Sequence, residues 1–336
     1  MRLITRADFD GLACASILKD LGVIDTWKFV HPKDLQDGMV DVTDRDVLAN
    51  VPYVKGCCLW FDHHSSEEER LGRDFTFEGA SHAAPSAARI IYEYYGGQKA
   101  MPHYDEMVAA VDKVDAGLLS KEEIIEPTGW VLLGFIMDPR TGLGRFRDFK
   151  IGNMQLMEDL IEHCRTMKVS DILALPDVAE RIDKYNEQAE KFKEMALKYS
   201  RIDWDVLITD LRDINPIYTG NRFMIYSLFP EQNISIWVTD GKDRENCAIA
   251  VGYSILNRTA RVDVGALMLK YGGGGHYRVG TCQVPYDKAD QVIEEIVASI
   301  REANDRENMG EAEMSDLLFE VDDLLSDLDD LLDDLD

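Results

Sequence analysis

Leu59-Trp60-Phe61-Asp62-His63-His64 is an apolar run that stops abruptly at one carboxylate and two imidazoles. With Cys57 and Cys58 ahead of it, Leu59 to Phe61 reads as a buried strand, and in a parallel α/β sheet ligands bind beyond the carboxyl ends of the strands. Asp62, His63 and His64 are therefore expected to face a crevice. Carboxylate and imidazole together suit first-row divalent ions such as manganese or zinc, so the triplet can hold a cation beside a phosphate. An isolated triplet of this kind is more often a solvated strand-end turn, and the rest of the chain must decide between the two.

Upstream, Leu3 to Ala7 reads as a first strand, Asp8-Phe9-Asp10-Gly11 as a turn, and Leu12 to Leu21 as a helix closed by Gly22. A second strand is expected at Trp27 to Val30 and a third at Met39 to Thr43, which gives with the fourth a doubly wound, mostly parallel sheet. Downstream, Pro85 to Tyr95 and Tyr104 to Val114 have helical spacing, the first with Pro in its opening turn and Gly96-Gly97 as its stop. In the mixed segment Trp130 to Phe149, Arg140, Arg145 and Arg147 surround Gly142 and Gly144, as a phosphate-facing loop or as solvated surface. Pro176 to Ser200 reads as a charged helix joining two domains. Beyond it, strand-like runs recur at Val206 to Thr209, Phe223 to Leu228, Ile234 to Val238 and Ala248 to Val251. Tyr271-Gly272-Gly273-Gly274-Gly275-His276 and a helix from Asp287 to about Arg301 follow. The fold expected is α/β: a catalytic domain over 1–175, a linker helix over 176–202, a smaller α/β domain over 203–308 and an acidic amphipathic tail over 309–336.

The 336 residues exceed what one core normally accommodates. A formal charge of −27 argues against extended, non-specific binding to duplex nucleic acid, which needs Lys and Arg to neutralise phosphates. Residues 311–336 hold 12 acidic and no basic residues, yet the remainder still carries −15. An anionic substrate must then be drawn in by metal ions or a local basic patch. No apolar stretch is long enough for a membrane span, and Met1 leads straight into a strand pattern, so a cytoplasmic location is expected. The six cysteines are scattered among apolar neighbours, which indicates neither a disulfide framework nor a structural zinc site.

Acidic pairs fall where strands are expected to end: Asp8 with Asp10, Asp44 with Asp46, and Asp62 beside the histidines; Asp112 and Asp115 follow. Several carboxylates and a histidine converging from separate strand ends could bind two divalent ions that clamp a phosphoryl group and activate water. So crowded, they would repel one another without cations. In the second domain, Gly272 to Gly275 lets a backbone turn approach a ligand and offer N–H groups to an anion, with His276 as a further donor.

In this order, Asp8-Phe9-Asp10-Gly11, Asp62-His63-His64, Asp115-Ala116-Gly117 and Gly272 to His276 resemble the DHH phosphoesterases that carry a C-terminal DHHA1 domain, over about residues 1 to 300. The likeness is to the smaller, exopolyphosphatase-like and nanoRNase-like members. It implies a manganese-dependent phosphoesterase, with Mg²⁺ or Co²⁺ as alternatives, acting through two ions on short oligonucleotides, nucleoside bisphosphates or polyphosphate. It also implies Asp8, Asp10, Asp46, His63 and Asp115 as metal ligands, Asp46 being preferred to Asp44 because it precedes the apolar Val47-Leu48. Asp62, His63 and His64 would form the catalytic triplet, with Asp62 supporting from behind. His64, Ser254, Arg258, Gly274, Gly275 and His276 would bind substrate, and Asp112 would stand behind the ligands or on the surface.

Three positions depart from the family pattern. Ile4 and Arg6 stand where a histidine is common, and Val279 stands where Ala is usual. Inorganic pyrophosphatase is the alternative enzymatic reading, disfavoured by Gly272 to His276. A non-catalytic nucleotide sensor that addresses a partner through its tail is the alternative from another class. In that tail Leu318, Val321, Leu325, Leu328, Leu332 and Leu335 recur at steps of three and four. This is a helical seam flanked by aspartate, suited to a basic groove on the chain's own body or on a partner protein, or to a contact with another copy of the chain.

Overall fold

The computed structural model describes residues 1–64, 75–241 and 244–305. The described chain divides into two compact units, Met1–Lys198 with Asn215–Phe229, and Tyr199–Ile214 with the described residues from Pro230 to Asp305. The tail and its leucine seam lie outside the described residues. Among the described residues no helix is long and apolar enough to cross a membrane.

The first unit is built on a sheet of five parallel strands in the order β2-β1-β3-β4-β5. They are β1 (Arg2–Thr5), β2 (Thr26–Phe29), β3 (Asp46–Ala49), β4 (Leu59–Asp62) and β5 (Gly79–Ser81). Both faces are covered, as a parallel sheet requires. Ile4, Leu48 and Trp60 cluster with Leu35 and Val51 on one side, while Leu3, Val47 and Phe61, one residue out of phase, are also fully buried. Around the sheet lie α1 (Phe9–Asp20), α2 (Ala87–Tyr94), α3 (Asp105–Asp115), α4 (Gly129–Met137), α5 (Asn153–Thr166) and α6 (Pro176–Lys198). Helix α1 is buried from Phe9 to Leu18 without a polar face, the pattern of a helix enclosed by other elements. The returning segment adds the short helix α7 (Met224–Leu228).

The second unit has a mixed six-stranded sheet, order β10-β11-β9-β8-β7-β6. Its strands are β6 (Ser200–Asp203), β7 (Val206–Asp210), β8 (Ile234–Asp240), β9 (Cys247–Tyr253), β10 (Gly274–His276) and β11 (Val279–Val284). Only β7 and β8 pair in parallel. Helix α8 (Val264–Leu269) precedes the glycine run, and α9 (Tyr286–Asp305) lays Ala289, Val292, Ile293, Ile296, Val297 and Ile300 into the core, a spacing of three and four that marks one helix face.

Three expectations from sequence are corrected. Met39 to Thr43 is not a strand: Val40 and Val42 pack against the Ile4–Trp60 cluster while Met39, Asp41 and Thr43 are exposed. The alternation therefore records one-sided packing without a ladder, and the third strand begins at Asp46. Phe223 to Leu228 contains a helix instead of a strand, because a short buried apolar run does not reveal its own period. That segment also returns to the first unit, to which the long helix α6 belongs as well.

Candidate cation and phosphate site

The site lies at the carboxyl ends of β1 and β4, where two chain turns and two helix ends meet. The turn after β1 is very tight: a Cβ on Gly11 would sit 2.0 Å from the Arg6 carbonyl oxygen, so only glycine fits. Asp8 caps α1, its Oδ1 accepting from the Gly11 N–H at 2.9 Å. Asn50, just past β3 at φ 54°, donates its amide to the same oxygen at 3.0 Å. Arg6 Nε lies 3.2 Å from Asp8 Oδ2.

Asp10, in the first turn of α1, is 2% exposed. Its carboxylate accepts the Ala87 N–H at 3.0 Å and the Ala88 N–H at 2.8 Å, placing its charge at the positive end of α2. Burial, then the charges of Asp115 and Asp8, push its pKa well above the usual carboxylate range. Asp8 is raised too, burial outweighing Arg6. Asp112 fixes α2 from below: it accepts from Ser86 Oγ at 2.7 Å and from Arg89 at 2.9 and 2.6 Å, while Ser86 caps α2 through the Arg89 N–H. Asp112 is thus a buried anchor for the helix that holds Asp10.

His63 and His64 leave β4 in different environments. His63 Nδ1 is 3.1 Å from the Ala84 carbonyl oxygen. A carbonyl can only accept, so Nδ1 carries the proton, and in the neutral ring Nε2 is a bare lone pair. That Nε2 is buried without a hydrogen-bond partner, 3.3 Å from Asp115 Oδ2 and 3.9 Å from Asp10 Oδ2. In that neutral form the lone pair faces two carboxylates, a repulsion that a cation among them or a proton on Nε2 relieves. Ligand atoms of Asp10, His63 and Asp115 all lie within 4.8 Å of one another, so this donor set fits a first-row divalent ion.

His64 Nδ1 contacts Asp62 Oδ1 at 2.8 Å, and Asp62 is fully buried. Burial lowers the His64 pKa, but the Asp62 hydrogen bond and charge outweigh it, so the net shift is upward from 6.5. The pair stabilises the fold below the unfolded value and loses that contribution as pH rises through the folded one. Asp62→Asn is accordingly expected to move the His64 imidazole titration to lower pH in metal-free protein, as read by NMR. An unmoved titration would break the assignment of Asp62 as the orienting group.

Asp8, Asp10, Val114, Asp115, Asp138 and Arg140 line one small pocket. Asp138 accepts from the Arg140 backbone N–H at 2.8 Å and from its Nε at 2.7 Å, and Arg222 of the returning segment lies 3.3 Å from its other oxygen. The charges of Asp115 and Asp8 also act on Arg140. Of the arginines expected either to face phosphate or to be solvated, Arg140 belongs to the site. Asn50, Asp138 and Arg222 were not expected there. A turn residue after a strand was the available signal for Asn50, and long-range folding alone brings Arg222.

Asp46 is not part of this group. It opens β3, opposite Arg2 at the start of β1, and accepts Arg2 Nε at 2.7 Å, Arg2 Nη2 at 2.8 Å and the Thr43 N–H at 2.7 Å. Burial opposes its charge, but these donors hold its pKa below the usual carboxylate range. Asp44 is exposed on the loop before it. A strand ending at Thr43 would put both aspartates at the binding edge; with β3 beginning at Asp46, they lie at the opposite end of the sheet.

In the second unit Ser254 is buried, its Oγ accepting the Leu256 and Asn257 N–H groups at 3.2 and 3.0 Å. Arg258 is exposed, its Nε donating to the Ile255 carbonyl at 3.1 Å. Burial and the nearby Arg278 lower its pKa. Gly273 and Gly275 approach the β11 backbone so closely that a Cβ would lie 2.0 Å from the Thr281 oxygen or 2.2 Å from the Val279 oxygen. The hairpin itself therefore requires these two glycines. Gly274 has only the Leu269 side chain at 4.0 Å beside it. The His276 side chain lies outside the described residues.

No protein-family model and no curated protein matches the chain. Among solved structures, it is similar to a pGpG-specific phosphodiesterase, PggH from Vibrio cholerae, with 44% identity, 90% of this chain and 99% of that chain covered, and a TM-score of 0.77. It is also similar to an exopolyphosphatase-related protein from Bacteroides fragilis, at 13% identity with 88% and 91% covered and a TM-score of 0.48. RecJ from Thermus thermophilus in complex with Mn²⁺ matches at 13% identity with 90% and 52% covered and a TM-score of 0.49.

Proposed function

We propose, from the premise that this chain belongs to the DHH-family phosphoesterases, that it hydrolyses the phosphodiester bond of a short linear dinucleotide of the pGpG type in a divalent-cation-dependent reaction. The observation that carries the reading is the buried, unpartnered Nε2 of His63 facing Asp10 and Asp115. Those three residues would hold the ion, which when bound supplies Lewis acidity and a water of lowered pKa. Mn²⁺ is the ion assigned to this carboxylate-rich set, with Mg²⁺ and Co²⁺ as alternatives.

The chain's own groups divide the remaining work. Asp62 holds His64 with its second nitrogen directed away from the buried carboxylate, and the raised pKa favours a protonated ring that donates to a phosphate oxygen. Asp138 fixes Arg140 beside the carboxylates, where a guanidinium opposes the charge of an incoming phosphate. Asp8 and Asp10 are held by backbone N–H groups and so need no rearrangement on binding. In the second unit, Arg258, Ser254, Gly274, Gly275 and His276 are the candidates for the part of the substrate that is not cleaved.

Arg258→Ala is expected to raise KM for a 5′-phosphorylated dinucleotide by about 10- to 150-fold with little change in kcat, the size of one charge-assisted contact. Steady-state kinetics on the dinucleotide with and without its 5′-phosphate check this; equal loss on both would remove Arg258 from that role. The function itself is tested by product release from pGpG, pyrophosphate and polyphosphate in parallel. Turnover of pyrophosphate alone would select the alternative enzyme, and turnover of none of them the binding protein.

A further inference from the structure

Two carboxylates that the family resemblance assigns to a pair of ions are committed elsewhere. Asp46 is closed by Arg2 and Thr43 at the opposite end of the sheet. Asp8 takes Gly11 and Asn50 on one oxygen and Arg6 on the other. At the end of β3, beside Asp8, the chain offers Asn50, whose amide nitrogen points into Asp8. Its Oδ1 is buried without a partner, but as a neutral oxygen it brings no charge to a cation. Asp10, His63 and Asp115, by contrast, converge with donor atoms within 4.8 Å.

We infer that this centre takes one divalent ion, on Asp10, His63 and Asp115, and that the Arg6 guanidinium on Asp8 supplies the positive charge a second ion would have brought. The inference rests on the hydrolytic reading above and concerns the same site. The charge balance agrees with it. Arg6 faces Asp8, Arg140 lies among Asp138, Asp115 and Asp8, and Arg222 faces Asp138; with Asp10 counted, these four carboxylates and three guanidiniums leave one net negative charge, which a single divalent ion already reverses. A second ion would have to displace Arg6 from Asp8 or enter against it. The Arg6 side chain is 36% exposed and contacts Asp8 through Nε, so its remaining N–H groups are placed to take phosphate oxygens, for which the planar guanidinium is suited. Arg6 becomes a substrate-positioning residue for the cleaved phosphate.

The test is a Mn²⁺ titration of the full-length, metal-stripped protein, followed by calorimetry for stoichiometry and by electron paramagnetic resonance for coupling. One ion per chain with the signal of an isolated Mn²⁺ is the expected result. Two ions with an exchange-coupled signal would overturn the inference and leave the hydrolytic reading standing, whereas no bound ion would remove that reading. The double variant Arg6→His with Asn50→Asp is expected to admit a second, coupled ion. A folded double variant that still binds one ion would overturn the assignment of Arg6 and Asn50 as the cause. Arg6→Gln is expected to keep the stoichiometry at one and raise KM for the dinucleotide by about 10-fold or more; an unchanged KM would end its role toward phosphate.

Discussion

Asp115→Asn is expected to lower kcat for dinucleotide hydrolysis by about a thousandfold or more and, in metal-free protein at neutral pH, to raise Tm. The activity loss follows from removing one of the three ligand groups, Asp10, His63 and Asp115. Lewis-acid stabilisation is worth several kcal/mol, and about 1.4 kcal/mol is tenfold in rate. The stability gain has the opposite sign because Asp115 is a source of strain in the empty cluster. It is second only to burial among the causes that raise Asp10. A carboxylate whose folded-state pKa is raised loses stability as pH climbs from its unfolded value toward its folded one. The metal-free wild type should therefore gain stability on mild acidification from neutral pH, and Asp115→Asn should flatten that dependence. Activity and melting curves across pH on stripped protein read both effects. A variant that keeps its turnover, or loses metal-free stability, would contradict this picture of the cluster.

Gly11→Ala is expected to destabilise the first unit by about 3 kcal/mol or more, the upper range for forced overpacking, and to weaken cation binding with it. The added Cβ would meet the Arg6 carbonyl oxygen at 2.0 Å and Thr5 Oγ1 at 2.9 Å, and backbone cannot give way as a side-chain end can. The turn that must open is the one that fixes Arg6, Asp8 and Asp10 together. Gly272→Ala is the control: at φ 75° with nothing within 4 Å, it should cost only the roughly 1 to 2 kcal/mol of a left-handed alanine and leave the cation site intact. Equal losses at the two positions in melting and Mn²⁺ titration would refute the crowding argument.

Strand-end chemistry was the part of this molecule most legible in the sequence. Apolar runs ending in Asp8, Asp10, Asp62 and His63 placed these side chains at the carboxyl edge of a parallel sheet, and helical spacing placed Asp115 at the end of α3. Asp46 failed for a local reason: alternating Val40 and Val42 imitate a strand while packing from a coil. Asn50 gives no comparable signal in the sequence, because a neutral amide carries none of the charge that marks the acidic pairs. Arg222 and Asp138 are 84 residues apart, and no periodicity links them. Arg6 was recognised as a departure, but its contact with Asp8 depends on the turn geometry that Gly11 permits.

The central claim is cation-dependent cleavage of a linear dinucleotide at the Asp10–His63–Asp115 centre. It is tested most directly by following pGpG by chromatography with full-length protein, first stripped with chelator and then resupplied with Mn²⁺. The account predicts no cleavage in the stripped sample, conversion to mononucleotide on resupply, and none with Asp115→Asn under either condition. Cleavage that persists undiminished in chelator, or an intact dinucleotide after resupply, would contradict it.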